Sequence, residues 1–149
     1  MTQLDIVIPL EQIVVLPAGV NKREALNLLI DAMSGNPVIT DREAFRRAVF
    51  EREAVMSTGI GNGIGVPHVR IPEVTVPTIG VAVSDEGVDF QAMDNKPVHI
   101  MILFATPLGA EKAYLTLLAK VMIVLRNRNL YASLRACRTP GEVHAVLSR

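Results

Sequence analysis

The run KPVHIMILFATP, residues 96–107, constrains this chain more than any other stretch. It is apolar almost without interruption, so a strand formed there has to be covered on both faces. A second β-like run, VPTIGVAVS (76–84), is branched and apolar and ends at the turn signal DEG. The layers that cover these strands are expected to be helices. NKREALNLLIDAMSG (21–35) places Ala25, Leu28, Leu29, Ala32 and Met33 at helical spacing, with Gly35 as the stop. TDREAFRRAVFEREAV (40–55) opens with Thr40 and, three residues on, Glu43, the pattern of a capping box. Phe45, Ala48, Val49 and Met56 form its apolar stripe. AEKAYLTLLAKVMIVL (110–125) presents Ala113, Leu117, Val121 and Val124 on one side. TPGEV (139–143) signals a last helix, with Thr139 as N-cap, Pro140 first and Glu142 completing the box. No internal repeat or linker interrupts the pattern. The expectation is one α/β domain over residues 1–149, a small mixed β-sheet flanked by helices.

Charge and composition exclude several functions. Fifteen basic and fifteen acidic residues cancel, and only six aromatics are available to stack on bases. No net positive field draws in nucleic acid. The locally basic segment RNRNLYASLRACR (126–138) reads as a solvated helix face. No apolar run reaches the ~20 residues that span a bilayer. The opening MTQLDIVIPLEQIVV lacks a basic leader and carries Asp5 and Glu11, against a signal peptide. A single cysteine, Cys137, forms no internal disulfide and fits a reducing cytoplasm.

The chemistry-bearing stretch is STGIGNGIGVPHVR, residues 57–70, which holds four of the ten glycines. Ordering so many glycines is entropically costly, so the segment needs unusual backbone angles or close approach of another group. A dinucleotide fingerprint would need glycine where Ile64 stands, and no Gly-Lys-Ser/Thr follows to make a P-loop. The histidines at 68, 99 and 144 show no metal-ligand spacing, and no metal or cofactor is expected. His99 reads as a hydrogen-bonded core or edge residue, and His144 as a surface or boundary one. Cys137 lies without a histidine nearby in sequence. His68 differs from these. Pro67 stiffens the chain before it, and the glycine-rich loop beside it can present N–H groups to an anion. A neutral imidazole with one nitrogen hydrogen-bonded is a competent nucleophile near pH 7.

The segment Glu53–Val69, EAVMSTGIGNGIGVPHV, resembles the active-site signature of the fructose/mannitol-type IIA domains of the bacterial phosphotransferase system. An acidic residue comes first, Glu53. Ile60-Gly61 follows, and Ile64, Gly65, Val66, Pro67, His68 and Val69 close the pattern. The likeness runs through IVIPLEQIVVL, DREAFRRAVFEREAVMSTGIG and TPGEVHAVL in the family's order, and as a free-standing domain the chain is most similar in layout to the nitrogen-regulatory branch. The resemblance implies the mannitol/fructose-type IIA fold and a phosphohistidine carrier. His68 would accept a phosphoryl group on Nε2 from an HPr-like protein and pass it to a IIB domain or a regulated target. Arg52 matches the arginine that members hold near the histidine, where it would offset phosphoryl charge. Ser57, Thr58, Gly59, Gly61, Gly63 and Gly65 would form the loop receiving that charge. Three positions depart from the family: Gly65 replaces the usual alanine, and Val69 brings a branched side chain where a small residue follows the histidine. Glu111, beside Lys112, occupies the place of a second active-site histidine. Two alternatives stay open beside the carrier: a regulatory module that binds partners with little phosphotransfer, and a small-molecule sensor using the loop as an anion pocket.

Overall fold

A computed structural model describes residues 8–148, so Asp5 lies outside the described residues. The sheet is organised around β6 (Val98–Thr106), every residue of which is buried. Antiparallel to it runs β5 (Thr78–Val88), which in turn pairs in parallel with β1 (Ile13–Val15). On its other side β6 pairs in parallel with β3 (Ile64–Gly65) and, further along, with β4 (His68–Arg70). β2 (Gly59–Gly61) closes an antiparallel hairpin with β3. The sheet is therefore mixed, as expected.

Alternation along β5 and β6 divides the core in two. Ile79, Val81, Val83, Ile100, Ile102 and Phe104 face α3 (Glu111–Arg126), α4 (Arg128–Arg135) and α5 (Pro140–Leu147). Ala82, Val88, Met101, Leu103 and Ala105 face α1 (Lys22–Ser34) and α2 (Arg42–Val55). This is the doubly covered strand that the apolar run demands.

Several local expectations change. α2 is capped by Asp41, whose carboxylate accepts from Ala44 N–H, while the Thr40 hydroxyl instead donates to the Glu73 carbonyl. An aspartate one residue later serves the same orphan N–H groups and leaves the threonine to tie the helix start to the loop at Glu73. At the last helix Thr139 caps Glu142 N–H as expected, but the Glu142 carboxylate reaches back to Arg138 N–H. Leu28, Met56 and Ala113 are exposed; Leu26, Ile30 and Tyr114 fill the core-facing positions. The DEG signal does not end β5. It is absorbed as a register shift between Val83 and Val88, with Gly87 at φ +94°, so the strand bulges and continues. The basic segment 126–138 is broken at Asn127, which caps α4 by accepting from Asn129 and Leu130 N–H. Cys137 lies just beyond α4, buried, with its thiol 3.2 Å from the Ser133 carbonyl.

Candidate functional site

β4 lies parallel to β6 with His68 opposite Phe104, Val69 opposite Ala105 and Arg70 opposite Thr106. The Pro67 carbonyl accepts from Phe104 N–H at 2.9 Å, so the chain is anchored immediately before the histidine. The two-residue strand period puts Val69 into the α1/α2 side of the core, at 5% exposure. His68 and Arg70 share the other face. There the His68 ring stacks on Tyr114 of α3, centroids 5.0 Å apart, and the Arg70 guanidinium lies 5.8 Å from the same ring. Phe104 meets Tyr114 edge-on and holds it in place.

A cavity of about 400 Å³ opens between this strand and α2, lined among others by Arg52, Val55, His68, Val69 and Arg70. Neither Arg52 nor Arg70 has a carboxylate within ion-pair distance among the described residues. Glu53, next to Arg52, is turned inward instead. The His68 Nδ1 lies 3.3 Å from the Val66 carbonyl, which places the proton on that nitrogen. Burial pushes the imidazole below its ordinary value of about 6.5, against the Val66 hydrogen bond; Arg52 and Arg70 push the same way as burial, and Glu53 opposes. Burial likewise raises the Tyr114 phenol above its usual range.

The structure thus brings together His68 and Arg52 and adds Arg70 and Tyr114, which the sequence reading did not single out. Arg70 was signalled by its position two residues after His68 on a strand. Tyr114 carried only the ordinary mark of a core residue on α3. Val69 forms part of the cavity wall, but its side chain is committed to the core.

The glycines and hydroxyls expected to form the phosphoryl-binding loop lie apart from this cavity. None of Ser57, Thr58, Gly59, Gly61, Gly63 or Gly65 lines the cavity. The Ser57 hydroxyl donates to the Phe90 carbonyl, and Thr58 donates through both N–H and hydroxyl to Glu53. The glycines form a hairpin that packs against residues 90–99 and Tyr131. A Cβ at Gly59 would sit 2.8 Å from Ala92 Cβ, and one at Gly63, already at φ +75°, would overlap the Tyr131 hydroxyl. Close approach explains these glycines; the group approaching is the protein itself. Glu111 and Lys112 are exposed at the start of α3, outside the cavity wall, and α3 reaches His68 through Tyr114.

His99 is a buried core residue whose Nδ1 lies 2.9 Å from the Ser84 carbonyl, and His144 is exposed on α5. No cluster of three potential metal ligands occurs among the described residues. No helix among them is long and apolar enough to cross a membrane.

Comparison with known proteins places this geometry in context. Residues 7–149 match the family described as phosphoenolpyruvate-dependent sugar phosphotransferase system, EIIA 2. A fructose-specific EIIA component from Haloferax volcanii is 31% identical over 148 residues, covering 99% of this chain and 96% of that one. The crystal structure of nitrogen regulatory protein IIA-Ntr from Neisseria meningitidis superposes with a TM-score of 0.82 at 26% identity, covering 95% of this chain and 96% of the other. The same fold, at TM-score 0.79 and 18% identity, occurs in a complex of enzyme IIA and phosphorylated enzyme IIB for mannitol from Escherichia coli, with 95% and 96% coverage.

Proposed function

Because this chain belongs to the phosphoenolpyruvate-dependent sugar phosphotransferase system EIIA 2 family, we propose that it carries a phosphoryl group on Nε2 of His68. The observation that supports this reading most directly is the state of the imidazole. Its Nδ1 is engaged by the Val66 carbonyl, while Nε2 has no hydrogen-bond partner among the described residues and the ring lines a cavity with two unpaired arginines. With the proton held on Nδ1, the lone pair belongs to Nε2. The lowered basicity keeps the ring neutral and nucleophilic at pH 7.

The donor is a phosphohistidine on an HPr-like protein. The Nε2 lone pair forms the new N–P bond as the donor's N–P bond breaks, and the donor imidazole keeps the electron pair. The Nδ1 proton does not move. Charge in the loose transition state spreads over three equatorial oxygens, where Arg52 and Arg70 offset it. Tyr114, stacked on the ring, fixes the line of attack. In the next step a thiolate of a IIB domain forms an S–P bond as the His68 Nε2–P bond breaks, and the imidazole recovers its lone pair; the mannitol complex of the same fold supports a IIB domain as acceptor. The step as written balances without a metal or cofactor, and a donor chain fed by phosphoenolpyruvate supports a cytoplasmic setting.

Likeness to nitrogen-regulatory proteins supports a second reading of the same site. Here the phosphoryl group is a signal, and a target protein binds the bare and phosphorylated forms with different affinity.

The test is intact-mass analysis after incubation with phosphoenolpyruvate, enzyme I and HPr. One acid-labile phosphoryl gain, absent from His68→Ala, is the expected result. No gain with donor proteins of confirmed activity overturns the carrier reading.

A further inference from the structure

Behind the histidine lies a buried ion pair that the phosphoryl step itself does not use. Glu53, on the last turn of α2, has a side chain only 5% exposed. Its Oε1 accepts from Thr58 N–H at 2.9 Å and lies 2.8 Å from Lys22 Nζ; its Oε2 accepts from the Thr58 hydroxyl at 2.8 Å. Lys22, the first residue of α1, also donates to the Phe90 carbonyl and lies 4.7 Å from the centre of the Phe90 ring. The Ser57 hydroxyl donates to that same carbonyl. One carboxylate therefore fastens the start of α1, the end of α2 and the chain at residues 57–58.

The fastening continues to the site. The Thr58 carbonyl accepts from Val66 N–H at 2.9 Å, and the Val66 carbonyl is the group that holds His68 Nδ1. Pro67, between them, has no N–H and a fixed φ, so the placement of Val66 sets the placement of the ring. A buried carboxylate that accepts two hydrogen bonds and pairs with a lysine is costly to disturb.

We propose that Glu53, balanced by Lys22, is a positioning residue for His68: through Thr58 and Val66 it holds the imidazole tautomer, and its charge, partly offset by Lys22, counters the arginines of the cavity. The proposal rests on His68 being the phosphoryl acceptor, and it deepens that reading by adding a residue of α1 to the machinery. The charged and titratable groups that face the ring are Arg52 and Glu53 from α2, Arg70 from its own strand and Tyr114 from α3. Glu51 of α2 lines the same cavity, and Glu53 is the acid whose charge acts on the ring.

The opposite signs of the pair separate this role from a simple structural latch. In Glu53→Gln the arginines act unopposed, so the protonation midpoint of His68 falls. In Lys22→Met the Glu53 charge, still held by Thr58, loses its counter-ion, so the midpoint rises. Titration of the unphosphorylated protein, followed by nitrogen-15 NMR of the imidazole, reads both the midpoint and the tautomer. Phosphoryl acceptance from HPr is expected to fall by roughly 10- to 100-fold in Glu53→Gln, the scale of a small misplacement of a reacting atom. Shifts in the same direction in both variants, or no shift in either, overturn the proposal and leave the pair as a latch. Should Glu53→Gln not fold, Lys22→Met decides alone: a raised midpoint supports the proposal, and an unchanged or lowered one overturns it. The titration needs no phosphoryl transfer, so failure of the carrier reading in the mass assay is distinct from failure here.

Discussion

Two stretches only three residues apart, the hairpin at Gly59–Gly65 and the strand at His68–Arg70, lie against the same β6 yet do opposite work. The hairpin is almost all backbone. Its glycines let Ala92, Phe90 and Tyr131 come close, and its polar neighbours Ser57 and Thr58 are consumed by internal hydrogen bonds. The strand is almost all side chain. His68 and Arg70 project past its edge into a cavity where the arginines have no carboxylate partner among the described residues. Groups already satisfied by the fold have nothing left for a ligand, whereas unpaired charge beside a half-buried imidazole does. The glycines build the support, and the next strand presents the chemistry.

Four experiments break or sharpen that contrast. Arg52→Met has the largest effect: phosphoryl acceptance by His68 falls about 100-fold, as when one charge-stabilising donor is removed from an active site. Rapid-quench transfer from phospho-HPr measures it, and the melting temperature stays unchanged because Arg52 is exposed and unpaired. Gly63→Ala has the reverse signature. It loses roughly 2 kcal/mol of stability in urea unfolding, from overpacking against Tyr131 at a left-handed backbone. Acceptance per folded molecule is retained; a stable Gly63→Ala protein that cannot accept phosphate would return the hairpin to the active site. Arg70→Met comes third, with a loss of about 10-fold, because a single charge-assisted contact is removed while Arg52 remains. The smallest effect is on pH. Only the neutral ring attacks, and burial lowers its basicity, so the acid limb of the transfer rate lies below the ordinary histidine value of about 6.5. Removing the Arg52 charge moves that limb upward, since a nearby cation disfavours the protonated ring.

Much of the architecture was legible because it depends on local pattern. The unbroken apolar run at 96–107 became the central strand, and Thr139-Pro140 began the last helix. Helix registers were less secure: Leu28 and Met56 fit the spacing and yet face solvent, because spacing defines a stripe but not its width. His68 stood out through Pro67 and the glycine-rich loop before it, whereas Arg52 was singled out only by the resemblance to the family. The packing of the glycines against Ala92, Phe90 and Tyr131 was not legible, since close approach and ligand binding leave the same mark in sequence.

The sequence by itself determined that one strand is buried on both faces, that helices cover it, and that His68 stands on a stiff segment after a glycine-rich loop. These follow from periodicity and fixed dihedrals, both properties of neighbouring residues. Only the tertiary structure decided what surrounds the imidazole. It brought Tyr114 of α3 under the ring and turned Glu53 away from Arg52 toward Lys22 of α1. It also committed Thr58 to that carboxylate. Those contacts join residues far apart in the chain, and no local preference encodes them. They are set by which faces pack together once the sheet is covered on both sides.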